Sequence, residues 1–329
     1  MLFYTNILAK GNNVFFRGFK DGKRVSQKID FKPSLYVKSN SKNTQYKSMW
    51  GEPLEKLNFD TISEARNFIK QYKDVENFHI FGNFNYGYQF INKVFPNTID
   101  FDTSLLKIVT IDIETTTEFG FPDPRSAQEE IILITLQDIN THKLTTFGCG
   151  PYDVKKPNSE YIKCEDEFDL LRKFINFWKN DYPDVVTGWN CQLFDITYLS
   201  SRIMRVLGDK ALNECSPWGF IRQYEVPTAR NRTQLAFDWQ GISVLDFMDL
   251  YKKFSYTMVE NYKLDTVAYE ELGEQKLKNP HATFKEFYTK DWDLFVDYNI
   301  RDVELVSALD NKRKIINLIL TMEIGRAHV

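Results

Sequence analysis

Two carboxylates stand two residues apart inside an apolar run, Asp112 and Glu114 of IVTIDIET (108 to 115). In a strand, alternate side chains project from the same face, so the pair would sit side by side. Neighbouring carboxylates repel one another and are costly to bury, and a divalent cation is the usual remedy. Taken alone, the pair is better explained as charge at an exposed strand end. A second cluster changes the balance: in TGWNCQLFDITYL a short apolar strand runs into Asn190, and Phe194-Asp195 opens a helix. That places Asp195 at the carboxyl edge of a strand, where open α/β sheets carry their sites. By itself Asp195 is as well explained as a helix cap. The third cluster, VDYNIRDVEL, sets Tyr298 and Asp302 four residues apart and so on one helical face, with Asp297 and Glu304 free to take the wet side. Three such clusters seldom coincide by chance. Oxygen ligands without histidine or thiolate select hard cations, magnesium or manganese above all. Two such ions can clamp the attacking and leaving oxygens of an in-line displacement at phosphorus, so these residues point to phosphodiester hydrolysis.

Other chemistries find little support. The histidines His79, His142, His281 and His328 have no partner at ligand spacing. The cysteines Cys149, Cys164, Cys191 and Cys215 form no CxxC pair and are expected to be reduced and buried. A net charge of −3 argues neither for nor against nucleic acid, because an acidic site can mask a local basic face. No run approaches the roughly 18 apolar residues that span a bilayer, and the N-terminus lacks a basic start with a small-residue cleavage site. A cytoplasmic protein without membrane contact is therefore expected.

The elements that must position the carboxylates can be read in outline. With 329 residues the chain has room for about two domains. The first hundred residues predict a small mixed module: a hairpin over NVFFRGFKDGKRVSQKIDF turning at Asp21-Gly22, a strand at FKPSLYV, and a helix over 62 to 72. That helix is expected to start with Ser63 as its cap. From about 104 the pattern becomes LLKIVTIDIET, EEIILITLQD and KLTTFG as strands, helix DEFDLLRKFINFWKN, strand DVVTGW and helix FDITYLSSRIMRVLG. Three strands followed by alternation predict a mixed sheet flanked by helices, an α/β (α+β) fold. A long hairpin is expected between WGFIRQYEV and QLAFDWQGISVL, with Arg230 and Arg232 at its basic tip. Helices follow at DFMDLYKKF and NYKLDTVAYEEL, then a long final helix from about 288 whose buried face carries Trp292, Phe295, Val296, Val303, Val306 and Leu309.

DIET (112 to 115), NCQLFD (190 to 195) and YNIRD (298 to 302) resemble, in order, the D-x-E, N-x-x-x-F-D and Y-x-x-x-D motifs of the DEDDy exonucleases found in family B DNA polymerases. The connecting text FPDP, TGWN and GISVLDFMDLYKKF is similar to replicative polymerases of T-even-type bacteriophages, and the likeness runs through ILTM (319 to 322). This resemblance implies an RNase H-like exonuclease domain over 105 to 322 behind an incomplete N-terminal domain over 1 to 104. It implies two Mg2+ or Mn2+ ions held by Asp112, Glu114, Asp195 and Asp302, with Tyr298 orienting the attacking water. The implied partner is the single-stranded 3′ end of DNA, with primer-template DNA in the full-length enzyme, acting as a monomer in the cytoplasm of an infected bacterial host. Phe121 matches a phenylalanine that stacks on the terminal base, and Asn190, Phe194, Arg230 and Arg232 are candidate DNA contacts. The tail EIGRAHV (323 to 329) departs from the family pattern and back-translates to a common sequencing adapter, so it is expected to be non-native. The resemblance gives a proofreading exonuclease region without its polymerase domain. A free-standing DEDDy exonuclease and an inert nucleic-acid-binding fragment are the alternatives.

Overall fold

The computed structural model describes residues 1–41, 43–97, 99–228, 232–256 and 258–326. Two compact units result, one of Met1–Phe101 with Thr321–Val329 and one of Asp102–Leu320.

In the first unit β1 (Leu2–Lys10), β2 (Asn13–Lys20) and β3 (Lys23–Asp30) form an antiparallel sheet in that order. Asp21 and Gly22 turn the β2–β3 hairpin with φ of 51° and 76°, the left-handed pair that a two-residue hairpin demands. A second sheet takes the order β5-β6-β4-β7, from β4 (Ser34–Lys38), β5 (Tyr46–Lys47), β6 (Pro53–Asn58) and β7 (Ile80–Phe81). Helices α1 (Ile62–Tyr72) and α2 (Tyr86–Val94) complete the unit, with Phe3, Phe16, Phe31 and Phe90 in its core. The cap of α1 is Thr61 rather than Ser63: the Thr61 hydroxyl accepts from the Glu64 N–H, and the Glu64 carboxylate reaches back to the Asp60 N–H. This reciprocal arrangement satisfies two N-terminal donors and moves the cap to Thr61, while the helix itself spans 62 to 72 as expected.

The second unit is built on one six-stranded sheet, for which β8 (Ile108–Thr115), β9 (Ile131–Asp138), β10 (Leu144–Gly148), β11 (Ser159–Lys163) and β12 (Val185–Gly188) supply five strands. A separate ribbon pairs β13 (Ile221–Thr228) with β14 (Arg232–Trp239), and β15 (Ser243–Asp246) returns to the sheet, giving the order β11-β10-β9-β8-β12-β15. Its pairings are antiparallel at β8–β9 and β9–β10 and parallel at β10–β11, β8–β12 and β12–β15, so the sheet is mixed, as expected. The stretch QLAFDWQGISVL is thus two strands in two sheets. The break falls at Gly241, whose φ of 95° and close approach to the Pro217 ring leave no room for a side chain.

Helices cover both faces of the sheet. Against one pack α3 (Glu167–Asn180) and α4 (Asp195–Leu207), sharing a core with Phe147, Phe174, Trp178, Leu199 and Trp239. Next come α5 (Asp209–Asn213), α6 (Phe247–Phe254), α7 (Leu264–Leu272), α8 (Phe284–Lys290), α9 (Trp292–Arg313) and α10 (Ile315–Arg326). Helices α8 and α9 close the opposite face around Leu133, Leu144, Phe287, Phe295 and Val303. The long helix expected from near 288 therefore starts at Trp292, because Asp291 leaves helical geometry (φ −141°) and separates it from α8, and it is not the last, because Lys314 at φ 55° ends it before α10. Among the described residues no helix is long and apolar enough to cross a membrane.

Candidate active site

Strand β8 brings Asp112 and Glu114 to one face of the sheet, and β12 runs beside it only as far as Thr110. Past that point the β8 edge has no strand partner among the described residues, and the Ile113 N–H donates instead to Asp195 Oδ1 at 3.0 Å, at the first turn of α4. The loop that delivers Asp195 depends on two special backbone positions. A Cβ at Gly188 would stand 2.6 Å from the Ile111 carbonyl oxygen, so only glycine lets the chain pass β8 this closely. Asn190 takes a left-handed φ of 63°, which asparagine tolerates better than most side chains.

A buried carboxylate holds this loop from below. Asp246 accepts from the N–H groups of Asn190 (3.1 Å) and Gln192 (3.0 Å) and caps α6 through Met248 (3.0 Å), while burial pushes its carboxyl up to about 6. Asp246→Ala would strand these donors. It is expected to cost about 2–3 kcal/mol by denaturant titration and to weaken Mn2+ binding, whereas a variant as stable and as avid as the parent would show the loop to be held by other contacts.

The third wall is α9, anchored on β8 by a 3.1 Å contact between the hydroxyls of Thr110 and Ser307. Its inner face carries Tyr298, Asn299 and Asp302. Among the described residues, Asp112, Glu114 and Asp302 each offer a carboxylate oxygen, all within 4.8 Å of one another. Asp195 stands outside that group, coupled to it by charge and by its bond to β8. Two neighbours escaped the sequence reading. The Asn299 amide donates to Asp112 Oδ2 at 2.6 Å, and the Lys276 ammonium pairs with Asp302 while lying 4.8 Å from the centre of the Tyr298 ring. Asn299 was discoverable, since it precedes Asp302 by three residues on a helix and so shares its face. Lys276 lies between α7 and α8 in a segment with no periodic signal.

The carboxylates are crowded enough to resist ionisation. Burial, then the charges of Asp195, Asp302 and Glu114, hold the Asp112 carboxyl well above the usual range. Burial and Asp302 push Glu114 up to about 8, burial lifts Asp195 to about 8, and burial lifts Asp302 to about 6 against the opposing pull of Lys276. Burial also raises the Tyr298 hydroxyl to about 12, so it stays protonated and able to donate. Burial would lower the Lys276 ammonium, but Asp302, Tyr298 and Asp112 outweigh it and keep the charge. Two buried oxygens of the site, Asp302 Oδ1 and Asn299 Oδ1, have no hydrogen-bond partner among the described residues. Orphaned acceptors within an oxygen-rich cleft that gathers three carboxylates are what a hard cation would satisfy, so the residues present fit such an ion.

Of the expected DNA contacts, Phe121 is 90% exposed, with its ring centre 6.4 Å from that of half-buried Phe194. Asn190 uses its backbone to bind Asp246, as described. Arg230 lies outside the described residues, and Arg232 opens β14 with a side chain that also falls outside them. The structure thus gathers Asp112, Glu114, Asp302 and Tyr298, sets Asp195 beside them, and brings Phe121 against Phe194.

A mixed sheet flanked by helices, with an acid cluster near the carboxyl end of a central strand, defines an α/β protein suited to holding a hard cation. Residues 87–267 match DNA polymerase family B, exonuclease domain. The chain belongs to that family and carries its exonuclease domain. It is 27% identical to the DNA-directed DNA polymerase of Enterobacteria phage T4 and 29% identical to that of Escherichia phage RB69, each over 97% of this chain. The DNA polymerase of Autographa californica nuclear polyhedrosis virus is 29% identical over 53% of the chain and 17% of its own length. The chain spans 38% of the length of the two phage polymerases.

Proposed function

We propose that this chain removes nucleotides from the 3′ end of single-stranded DNA by metal-dependent phosphodiester hydrolysis, as the proofreading region of a phage replicative polymerase. The observation that carries this reading is the convergence of Asp112, Glu114 and Asp302 within 4.8 Å, with Asp195 bonded to the same strand. Asp112, Glu114 and Asp302 would hold one Mg2+ or Mn2+, and Asp112 with Asp195 would help hold a second. Such ions, when bound, stabilise the attacking and leaving oxygens of an in-line displacement. The protein's own groups act around them. Asn299 fixes the carboxylate of Asp112, the Tyr298 hydroxyl orients the attacking water, and the Lys276 ammonium offsets charge beside Asp302. Phe121 offers its exposed ring to the terminal base, and a ring can stack on any base, as removal of any mispaired end requires.

In this reading the working enzyme is a monomer that meets primer-template DNA in the host cytoplasm. The test is direct: with magnesium, the purified protein should shorten a 5′-labelled single strand from its 3′ end. Asp112→Ala with Glu114→Ala should abolish the shortening, and persistence of the activity in that double variant would place the chemistry elsewhere.

A further inference from the structure

Phe121 is not the only ring held in the open on the loop that follows β8. Phe119 is 77% exposed, and Gly120 between them takes φ +108° with nothing within 4 Å of where a side chain would begin. Exposed phenylalanines on a loose loop would mean little, but this loop is tied down. The buried Glu129 carboxylate accepts from the Thr116 hydroxyl (2.6 Å), the Glu118 N–H (2.9 Å) and the Phe119 N–H. Glu118 in turn accepts from the Tyr288 hydroxyl (2.9 Å) and pairs with Lys285, both on α8. Helix α8 meets the site through Phe287, whose ring packs edge-on against Tyr298 at 5.7 Å. Further along, Arg205 donates to the Ser126 carbonyl, and Arg202, itself paired with Glu167, donates to that of Ala127. The segment is therefore tied to α8, which packs against Tyr298, at Glu118 and meets Phe194 at the head of α4 through Phe121, and it carries both exposed rings between these attachments.

The electrostatics indicate what these rings are for. A nucleic-acid strand is a polyanion, and it must approach a cluster of carboxylates. Base stacking on an aromatic ring is an attraction that like charge does not oppose, and it tolerates any sequence. We infer that Phe119 is a second stacking surface for the unpaired strand, engaging the base next to the terminal base on Phe121. This rests on the functional reading above. The site would then grip two unpaired bases rather than one.

The experiment uses single-stranded oligonucleotides carrying the fluorescent base 2-aminopurine at the terminal or the penultimate position, bound to protein already bearing Asp112→Ala and Glu114→Ala so that the strand survives. Adding Phe119→Ala should remove the emission change on binding at the penultimate probe, spare it at the terminal probe, and raise Kd about tenfold. Phe119→Trp should restore both. Phe121→Ala should show the reverse pattern, losing the terminal signal. An unchanged penultimate signal and Kd in Phe119→Ala, alongside an altered terminal signal in Phe121→Ala, would overturn the role of Phe119 and leave the exonuclease reading standing. Binding whose emission and affinity respond to neither ring would overturn the roles of both rings, and a protein that binds no strand would overturn the functional reading as well.

Discussion

Asp112→Asn combined with Glu114→Gln is expected to slow removal of 3′-terminal nucleotides by about 10³-fold or more while leaving the protein at least as stable when metal is chelated. The two halves of this expectation have one cause. Both substitutions keep shape and hydrogen-bonding capacity, and the carbonyl of the new amide at 112 still accepts from Asn299. What they remove is negative charge that the fold holds at a cost, since burial and the neighbouring acids oppose ionisation of both groups. Neutral amides bind hard cations far more weakly than carboxylates. Active sites often trade stability for function in this way. Single-turnover hydrolysis and thermal melting in chelator measure the two halves. A drop of several degrees in Tm would show that the acids contribute to the fold, and retained hydrolysis would show that they are not the ligands.

Metal affinity is expected to rise steeply with pH. Glu114 and Asp195 are held near 8, Asp302 near 6, and Asp112 well above its ordinary value, all higher than in the unfolded chain. A carboxyl with a raised folded pKa binds its proton more tightly when folded. Its contribution to stability is thus fully present at low pH and is lost as pH rises through the folded pKa. Without metal, the share of stability governed by these four groups should be fully present below about pH 4 and should weaken progressively toward pH 8. An incoming cation must displace these protons, so its apparent affinity gains about tenfold per pH unit for each proton released. From pH 6 to 8, Mn2+ should bind about 10²-fold more tightly and its stabilising effect should grow accordingly. Titration calorimetry in buffers of different ionisation enthalpy would count the protons directly. A flat affinity across that range would mean that the acids are ionised before the metal arrives.

The sequence exposed those parts of the site that lie on regular elements. Two-residue alternation placed Asp112 and Glu114 on one face of β8, and helical spacing placed Tyr298 and Asp302 on one face of α9, because both periods are fixed by backbone geometry. What lay on loops was invisible. Lys276 reaches Asp302 from an aperiodic stretch, and Glu129 organises a loop through backbone N–H groups that any residues could have supplied. Asp246 is in sequence only the first letter of DFMDLYKKF, and its hold on the loop before Asp195 appears only when β12 and β15 are seen side by side. Strand β1 went unread for a related reason: its alternation is blurred by the irregularity between Tyr4 and Asn6 where it pairs with β2. The single strand assumed over QLAFDWQGISVL failed at Gly241, which terminates one sheet and starts the approach to another.

The bond from the Ile113 N–H to Asp195 sets the kinds of sequence change this site can survive. Ile113 contributes that N–H whatever its side chain, and its own side chain is buried in the core, so exchange for valine at 113 should be nearly silent in a drifting population of genes. An in-frame insertion or deletion of a single codon within β8 is different. Between Asp112 and Glu114 it would send the two to opposite faces, and ahead of them it would carry both to the wrong face and turn the Ile113 N–H away from Asp195. Across related chains the strand should accordingly vary in letters while staying fixed in length, and gaps should gather in the loops on either side of it.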